Sequence, residues 1–353
     1  MKSRGFSEAV IQRLDKVHAD STNKSYLSQW KLFEAWCADN NIDPLRATSV
    51  AICDFFVYLF KERNLKVRTI EGYKSAIGFV LKRASEYDLA QCTIVSDLIK
   101  GFKRERPAAV RTEVKWDIAA VLSYLRSRAF DPGFVSVRAL TFKAVFLVAL
   151  ALGKRRSEIH ALTRESVVFA EDMSSVSVKP HSKFLSKTHF TAKGLGVLQS
   201  VSIPALPAGD SNAESLCPVR TLERYITISD AFRAKTQSRL FIPHERDKDR
   251  DMSPQTLSHY VRQVIIDAYK ALEGLSEKEL LERYEIKAHQ VRHVAHSLGQ
   301  IGAMPLSDIV KTGLWSSPNT FINSYLQDVS DEQARKLSDV GSFVAIETVF
   351  SQK

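Results

Sequence analysis

The stretch VFLVALALGKRRSEIHAL, residues 145–162, joins an apolar segment to a cluster of basic residues. Residues 145–152 are apolar on every side, which is typical of a helix surrounded by core. Eight such residues are too few to cross a bilayer. Gly153 ends the run, Arg155 and Arg156 follow, and Glu158 precedes the apolar positions Ile159 and Leu162. The sequence therefore predicts a buried helix that ends in a cationic segment.

The residues on both sides of this stretch are mostly helical in pattern. Helices are predicted over residues 117–128 and 135–152, and they resume near residues 219, 256 and 288. Strand patterns are confined to residues 166–170, 174–178 and 197–204. The last two are separated by a lysine-rich stretch that holds Lys183, Lys187 and Lys193. Residues 116–353 are therefore predicted to form a mainly α domain with one small antiparallel β-sheet and a lysine-rich hairpin.

Residues 1–104 predict a separate helical module, because apolar residues recur at helical spacing around Trp30, Phe55 and Ile77 and over residues 95–102. The third of these helices carries a flank of mostly basic residues, formed by Arg68, Thr69, Lys74, Lys82 and Arg83. Residues 105–115 contain Pro107 and lack apolar periodicity, so they predict an inter-domain linker. The basic run at this boundary consists of Lys103, Arg104 and Arg106. It fits a solvated face, a nuclear import signal or a segment that lies along a phosphate backbone.

Composition places the chain among soluble globular proteins. Its 353 residues are 44% hydrophobic and 25% charged, enough for two domains with cores of their own. The net charge of +10 favours a polyanionic partner such as nucleic acid, although a merely basic protein is the alternative. The four cysteines show no C-x-x-C pair and no zinc-like spacing. The N-terminus lacks the apolar core of a secretion signal, so we expect an intracellular protein without a membrane segment.

A second polar motif is HQVRHVAHSLG, residues 289–299. His289 and Arg292 are three residues apart and are predicted to share one helical face, while the apolar residues between them pack inward. Together with His293 and His296, His289 also raises the hypothesis of a metal site. No acid or cysteine lies close in the sequence to complete one, so we expect no metal.

Three further polar residues complete a set that suits phosphoryl transfer: Lys187 in FLSKTHF, Trp315 in GLWSSP and Tyr325 in FINSYL. Attack on a phosphodiester adds negative charge to the non-bridging oxygens, and arginine neutralises this charge with two parallel donors. A lysine or histidine must protonate the leaving 5′ oxygen, and a hydroxyl must attack. Two arginines, a lysine, a histidine and a tyrosine cover these roles.

In order and setting, these motifs resemble the active site of the tyrosine recombinases, or integrases. The resemblance covers essentially the whole chain and implies a helical core-binding domain followed by an α+β catalytic domain. It identifies Arg155 as the first catalytic arginine, with a glycine two residues before it and the supporting acid Glu158 three residues after it. Arg156 is the alternative. Lys187 takes the place of the general-acid lysine, with Lys183 as its main alternative and otherwise a DNA contact.

The resemblance also implies roles for the later motifs. His289 would bind the scissile phosphate or deprotonate the tyrosine, and Arg292 would be the second catalytic arginine. Trp315 stands where many relatives have a histidine; its indole N–H can donate a hydrogen bond but cannot carry a proton. Tyr325 follows ten residues later, one more than the commoner spacing, and would attack to leave a 3′-phosphotyrosine and a free 5′ hydroxyl.

The segments LCPVRTLERY, residues 216–225, and SPQTLS, residues 253–258, resemble recombinases of eukaryotic mobile elements of the Crypton and DIRS type. The family implies integration or excision of a mobile element without metal or nucleotide cofactor. It also implies double-stranded DNA as partner, with a dimer on one site and a tetramer in the synaptic complex. The residues of the first domain that would contact this DNA are Arg68, Thr69, Lys74, Lys82, Arg83, Lys103, Arg104 and Arg106. The apolar C-terminal segment would dock on a neighbouring subunit, with a helix packed on its own domain as the alternative, and the location would be nuclear. The alternatives are a type IB topoisomerase and a domesticated DNA-binding protein without catalysis.

Overall fold

The computed structural model describes residues 17–107, 114–130, 135–186, 200–206, 211–245 and 249–301, together with residues 8, 9, 13 and 133. For residues 128, 211–213 and 299–301 it describes the backbone alone. The chain divides into two compact units, Met1–Arg111 and Thr112–Lys353. The division at residue 111 falls inside the segment 105–115.

The first unit is helical, with α1 at Asp20–Asp39, α2 at Ser49–Lys61, α3 at Val67–Ala84 and α4 at Thr93–Glu105. Short 3₁₀ turns cover Pro44–Arg46 and Leu89–Gln91. The start of α2 is fixed by Thr48, whose hydroxyl accepts the N–H of Ala51 at 3.3 Å. The core is aromatic at its centre, where the Phe55 ring lies 5.0 Å from Phe33 and 5.9 Å from Tyr73 between ring centroids.

Helix α4 extends three residues beyond its predicted end at residue 102 and includes Lys103 and Arg104 in its last turn. Phe102 is buried and stacks on Phe60 with ring centroids 4.2 Å apart. The Arg106 guanidinium lies 4.1 Å from the centre of the Phe60 ring and donates to the carbonyl oxygens of Leu65 and Phe60. The basic run therefore belongs to the packed first unit, because Arg106 contacts Phe60 and Leu65, which are distant from it in the sequence.

The second unit is built around helix α6, Val137–Leu152, after α5 at Ile118–Leu125 and a 3₁₀ turn at Arg128–Phe130. Helix α7, Arg156–His160, follows α6. The later helices are α8 at Ser211–Leu216, α9 at Pro218–Asp230, α10 at Pro254–Glu273, α11 at Glu277–Tyr284 and α12 at Gln290–Ile301. Helices α9, α10 and α12 pack on α6, whose side chains are buried nearly all round. The predicted buried helix is confirmed.

A small antiparallel sheet has the order β1-β2-β3, with β1 at Val168–Phe169, β2 at Ser175–Val178 and β3 at Val201–Pro204. In β2 and β3, Val176 pairs with Ile203 and Val178 with Val201, and these side chains face the core. The mainly α fold with a small antiparallel sheet is thus as predicted. Residues 187–199, between β2 and β3, lie outside the described residues.

Gly153 ends α6 and begins the cationic segment. Its φ of +55° is in the left-handed region, and its N–H donates to the Ala149 carbonyl at 3.0 Å. A Cβ atom at this position would lie 2.4 Å from Cε1 of His296 on α12. The backbone conformation and the close approach of α12 both require glycine here. This contact brings the cationic segment next to α12.

Within the described part of the chain, no helix is long and apolar enough to cross a bilayer.

Candidate active site

Arg155 is fixed to Glu158 by two hydrogen bonds. Its backbone N–H donates to Oε2 of Glu158 at 2.7 Å, and its Nη1 donates to Oε1 at 2.9 Å. Arg155 is the N-cap of α7 and Glu158 is the third residue of the same helix, so the carboxylate bonds the cap as in a capping box. The Glu158 side chain has no exposed surface. The position and direction of the Arg155 guanidinium are therefore set by a buried group.

Arg292 approaches the same carboxylate from α12. Its Nη1 lies 3.6 Å from Oε2 of Glu158, and only 5% of its side chain is exposed. One buried carboxylate therefore lies between two guanidinium groups that are far apart in the sequence of the second unit. Such an arrangement holds both cations in place and leaves a net positive charge for an anion outside the pair.

His289 directly precedes α12, and its carbonyl oxygen accepts the N–H of Arg292 at 3.2 Å. Burial, and secondarily the charge of Lys287, lower the pKa of His289 below its usual value. The imidazole is therefore neutral at neutral pH and able to accept a proton. Its ring lies 5.4 Å from that of His293 in an edge-to-face arrangement.

His296, the third histidine of this motif, lies in the core of the second unit. It is fully buried, one ring nitrogen lies 2.7 Å from the Arg292 carbonyl oxygen, and burial holds its pKa well below the usual value. The neutral ring fills the space beside Gly153. Among the described residues, no group of three or more histidine, cysteine, aspartate or glutamate side chains is placed to hold a metal ion.

Arg155, His289 and Arg292 line a cavity of about 920 Å³ between α7, α10 and the start of α12. The lysines and arginines in its wall are Lys154, Arg155, Arg156, Arg262, Lys287 and Arg292. No carboxylate lines the cavity within the described part of the chain. The charged lining is wholly basic, which suits a phosphate group.

Lys154 is a member of this wall that the sequence motif did not single out. Burial lowers its pKa to about 8; Glu158 acts in the opposite direction, and Arg292 and Arg155 lower it further. Its position next to Arg155 in the sequence could have indicated that Lys154 lines the cavity. Arg262 comes from α10, and nothing in the local sequence connects that helix with the cavity.

The structure distinguishes the two candidate arginines of the first motif. Arg156 is exposed and begins α7, whereas Arg155 is partly buried and bound to Glu158. This geometry favours Arg155 as the arginine with a fixed orientation. Lys183 lies in an exposed turn after β2, where its backbone N–H donates to Nδ1 of His181 at 3.2 Å. Lys187, Lys193, Trp315 and Tyr325 lie outside the described residues.

The predicted DNA-facing residues of the first unit are partly engaged within that unit. The exposed members are Arg68, Thr69, Lys82, Lys103 and Arg104. Lys82 pairs with Asp88 and Lys103 with Glu71, each at 2.7 Å, and these pairs are solvent-accessible. Carboxylates of the first unit therefore lie beside two of the predicted cations.

Three of the predicted contacts lie in packed settings. Nζ of Lys74 donates to the Ser96 hydroxyl on α4 at 3.0 Å. The Arg83 guanidinium lies 3.6 Å over the Phe79 ring. Arg106 closes on Phe60 as described above. Contacts between elements of the first unit hold Lys74 and Arg106, whereas Arg83 packs on a residue of its own helix.

Comparison with known proteins identifies similar chains. The "Integrase/recombinase xerD homolog" of Selenomonas ruminantium is 24% identical over 271 residues, which cover 75% of this chain and 71% of that protein. The Tn1549 transposon integrase bound to transposon right-end DNA matches with a TM-score of 0.53 and 14% identity, covering 94% of this chain and 98% of the integrase. The XerH recombinase in its post-cleavage complex with difH DNA matches with a TM-score of 0.50 and 13% identity, over 84% of this chain and 72% of XerH. No protein-family profile matches.

Proposed function

The chain has the fold of the tyrosine recombinases, and we propose that it is a site-specific recombinase that cleaves and rejoins DNA strands through a phosphotyrosine intermediate. The observation that carries this proposal is the pair of arginines, Arg155 and Arg292, bound to one buried carboxylate at an all-basic cavity. The relationship to the XerD homolog supports the same reaction class.

The arginines act on the charge that develops at phosphorus. Arg155 and Arg292 donate to the non-bridging oxygens, and Glu158 keeps both guanidiniums oriented before the substrate arrives. Donors fixed in advance stabilise the transition state because no reorganisation is needed during the reaction. His289, neutral and at the cavity wall, binds the phosphate or accepts the phenolic proton.

The attacking and leaving groups are assigned from the sequence motifs. Tyr325 supplies the oxygen that bonds to phosphorus as the bond to the 5′ oxygen breaks, and Lys187 gives a proton to that oxygen. Trp315 donates its indole N–H to a phosphate oxygen. The phosphotyrosine conserves the free energy of the broken phosphodiester, so a 5′ hydroxyl from another strand reseals it by the reverse steps. This scheme uses side chains alone, without metal or nucleotide.

Double-stranded DNA and further copies of this chain are the proposed partners. The Tn1549 integrase and XerH structures contain their own DNA substrates. The first unit serves as the core-binding domain, with Arg68, Lys82, Lys103 and Arg104 as its exposed cations. We assign a dimer to one site and a tetramer to the synaptic complex, linked by the apolar segment near the C-terminus. The Crypton and DIRS resemblance further assigns the chain to a eukaryotic mobile element and to the nucleus.

Covalent trapping tests the reaction class. The protein first selects binding sites from a pool of random duplexes, and an end-labelled selected site is then incubated with it in EDTA and denatured. We expect a labelled protein band, a 5′ hydroxyl on the cut strand, and loss of the band in Tyr325→Phe with unchanged DNA affinity. Tight binding of DNA without a band in the wild type would instead support a catalytically silent DNA-binding protein.

A further inference from the structure

Trp116 and Gln290 form a buried hydrogen bond beside the second catalytic motif. The indole Nε1 of Trp116 donates to Oε1 of Gln290 at 3.0 Å, and both side chains are buried within the second unit. The same oxygen accepts the backbone N–H of Lys287 at 2.7 Å. Gln290 Oε1 thus joins the start of the unit to the turn that carries His289.

The neighbours of Trp116 reinforce this connection. The Lys115 ammonium lies 2.6 Å from Oε1 of Glu285, and the N–H of Asp117 donates to the Tyr269 hydroxyl at 2.7 Å. Three consecutive residues are therefore bound to α10, to the turn after α11 and to the start of α12. The turn 285–289 is held at its beginning by Lys115 and at its end by Gln290.

The fixed turn places the catalytic side chains. His289 stands in the sequence between Lys287 and Gln290, and the Gln290 side chain accepts the backbone N–H of Lys287. The N–H of Arg292 donates to the His289 carbonyl oxygen. A change in the Gln290 side chain would release the Lys287 amide and the turn that sets the direction of the His289 ring. A buried amide oxygen that accepts two hydrogen bonds specifies one conformation, which an apolar side chain of equal size would not do.

We propose that Trp116 and Gln290 are positioning residues, whose hydrogen bond holds His289 and Arg292 in register with the phosphate-binding cavity. This inference rests on the proposed function for its catalytic consequence. The orientation of His289 itself does not depend on that function.

The matched control is Gln237, a second buried glutamine remote from the cavity wall. Its Oε1 accepts the backbone N–H of Ala234, three residues earlier, at 2.9 Å, and its Nε2 donates to the Arg250 carbonyl at 2.9 Å. Gln237→Met and Gln290→Met therefore remove the same kind of interaction. Any general loss of stability from a buried glutamine will appear in both variants.

The first measurement is the NMR titration of the histidine rings in the full chain, with His289 assigned through His289→Gln. Loosening the turn exposes His289, so we expect its titration midpoint to rise toward the ordinary value in Gln290→Met and Trp116→Phe. Gln237→Met should leave it unchanged. Equal midpoints in Gln290→Met, Trp116→Phe and the wild type would overturn the proposal, because the turn would then be held without this bond.

The second measurement is single-turnover cleavage at saturating DNA. Misplacement of catalytic groups should slow cleavage by about 10- to 100-fold in Gln290→Met, with DNA affinity unchanged. Gln290→Glu keeps the acceptor and should restore most of the rate, and Trp116→Phe should add little to Gln290→Met. A rate in Gln290→Met equal to that of Gln237→Met would overturn the catalytic consequence. The His289 titration midpoint could shift in the variants although the wild-type protein cleaves no DNA. That result would support the positioning role of Trp116 and Gln290 and contradict the proposed recombinase function.

Discussion

The two units use their cations in different ways. In the second unit, Arg155 and Arg292 share Glu158, whose side chain has no exposed surface. In the first unit, Lys82 and Lys103 pair with Asp88 and Glu71 on the surface, where the lysine side chains are 64% and 55% exposed. Water screens the surface pairs and each contributes about 0–1 kcal/mol, whereas removing one partner of a buried pair costs about 3–5 kcal/mol.

Under the proposed function, this difference separates the catalytic cations of the second unit from the DNA-binding cations of the first. The buried Glu158 carboxylate accepts a hydrogen bond from the Arg155 guanidinium and forms an ion pair with that of Arg292 at 3.6 Å, so both cations are held near one phosphorus atom in the proposed reaction. Exposed lysines keep their freedom and can exchange a carboxylate for a DNA phosphate at little cost. Loss of any one residue of the Arg155–Glu158–Arg292 cluster should therefore strongly reduce cleavage. Loss of one surface lysine should reduce DNA affinity only slightly.

The largest expected effect comes from Glu158→Ala. Two cations would lose their buried partner, so we expect the free energy of unfolding to fall by about 3–5 kcal/mol in chemical denaturation. Asp230 is the matched control, since its half-exposed carboxylate also binds two arginines, Arg164 and Arg233. Asp230→Ala should cost about 1 kcal/mol. Equal decreases in the free energy of unfolding in the two variants would show that burial does not set the contribution of Glu158 to stability.

Removing either arginine tests the same cluster by kinetics. Arg155→Ala and Arg292→Ala should each raise the cleavage barrier by about 3–4 kcal/mol, because each removes a fixed donor to the developing charge. Arg156→Ala replaces the exposed neighbour and should change the single-turnover rate little. A large loss in Arg156→Ala with a normal rate in Arg155→Ala would reverse the assignment.

Lys154 should show the cost of burying a further cation there. Its pKa falls from 10.5 to about 8 on folding, so between these pH values the unfolded chain binds more protons than the folded one. Wild-type stability should therefore rise as the pH increases from 8 to 10.5. Lys154→Met should lack that rise and should be about 1–3 kcal/mol more stable than the wild type at pH 7. Identical pH dependence in the two proteins would exclude a strained charge at this position.

The smallest effects are expected for two surface lysines of the first unit, Lys82 on α3 and Lys103 on α4. Lys82→Ala and Lys103→Ala should each change the free energy of unfolding by less than about 1 kcal/mol. If these lysines contact phosphates, each variant should reduce the salt dependence of DNA binding by about one ion. Lys100, which pairs with Asp97 at 2.8 Å on α4, is the control outside the predicted set. An equal reduction of the salt dependence in Lys100→Ala would show that the lysines act through the overall positive charge and not through specific phosphate contacts.

Local pattern was enough to predict the features that depend on nearby residues. The apolar run before Gly153 predicted the buried helix, and three short strand patterns predicted the small sheet. Glu158 follows Arg155 by three residues, so the motif alone placed these two together. The extension of α4 to Glu105 was not predictable in this way, because it depends on Phe102 and Arg106 packing on Phe60. Arg262 and the Trp116–Gln290 bond likewise depend on residues that are distant in sequence.

In the proposed mechanism, Arg155 and Arg292 neutralise the charge of the phosphate that Tyr325 attacks. The most direct measurement compares single-turnover cleavage of an ordinary selected site with cleavage of the same site carrying a neutral methylphosphonate at the scissile position. We predict that the neutral linkage restores much of the cleavage rate lost in Arg155→Ala and Arg292→Ala, because less negative charge then develops at phosphorus. Arg156→Ala should cleave at the wild-type rate on both linkages. If both arginine variants lose the same factor on the charged and the neutral linkage, the two guanidiniums do not serve to neutralise that phosphate.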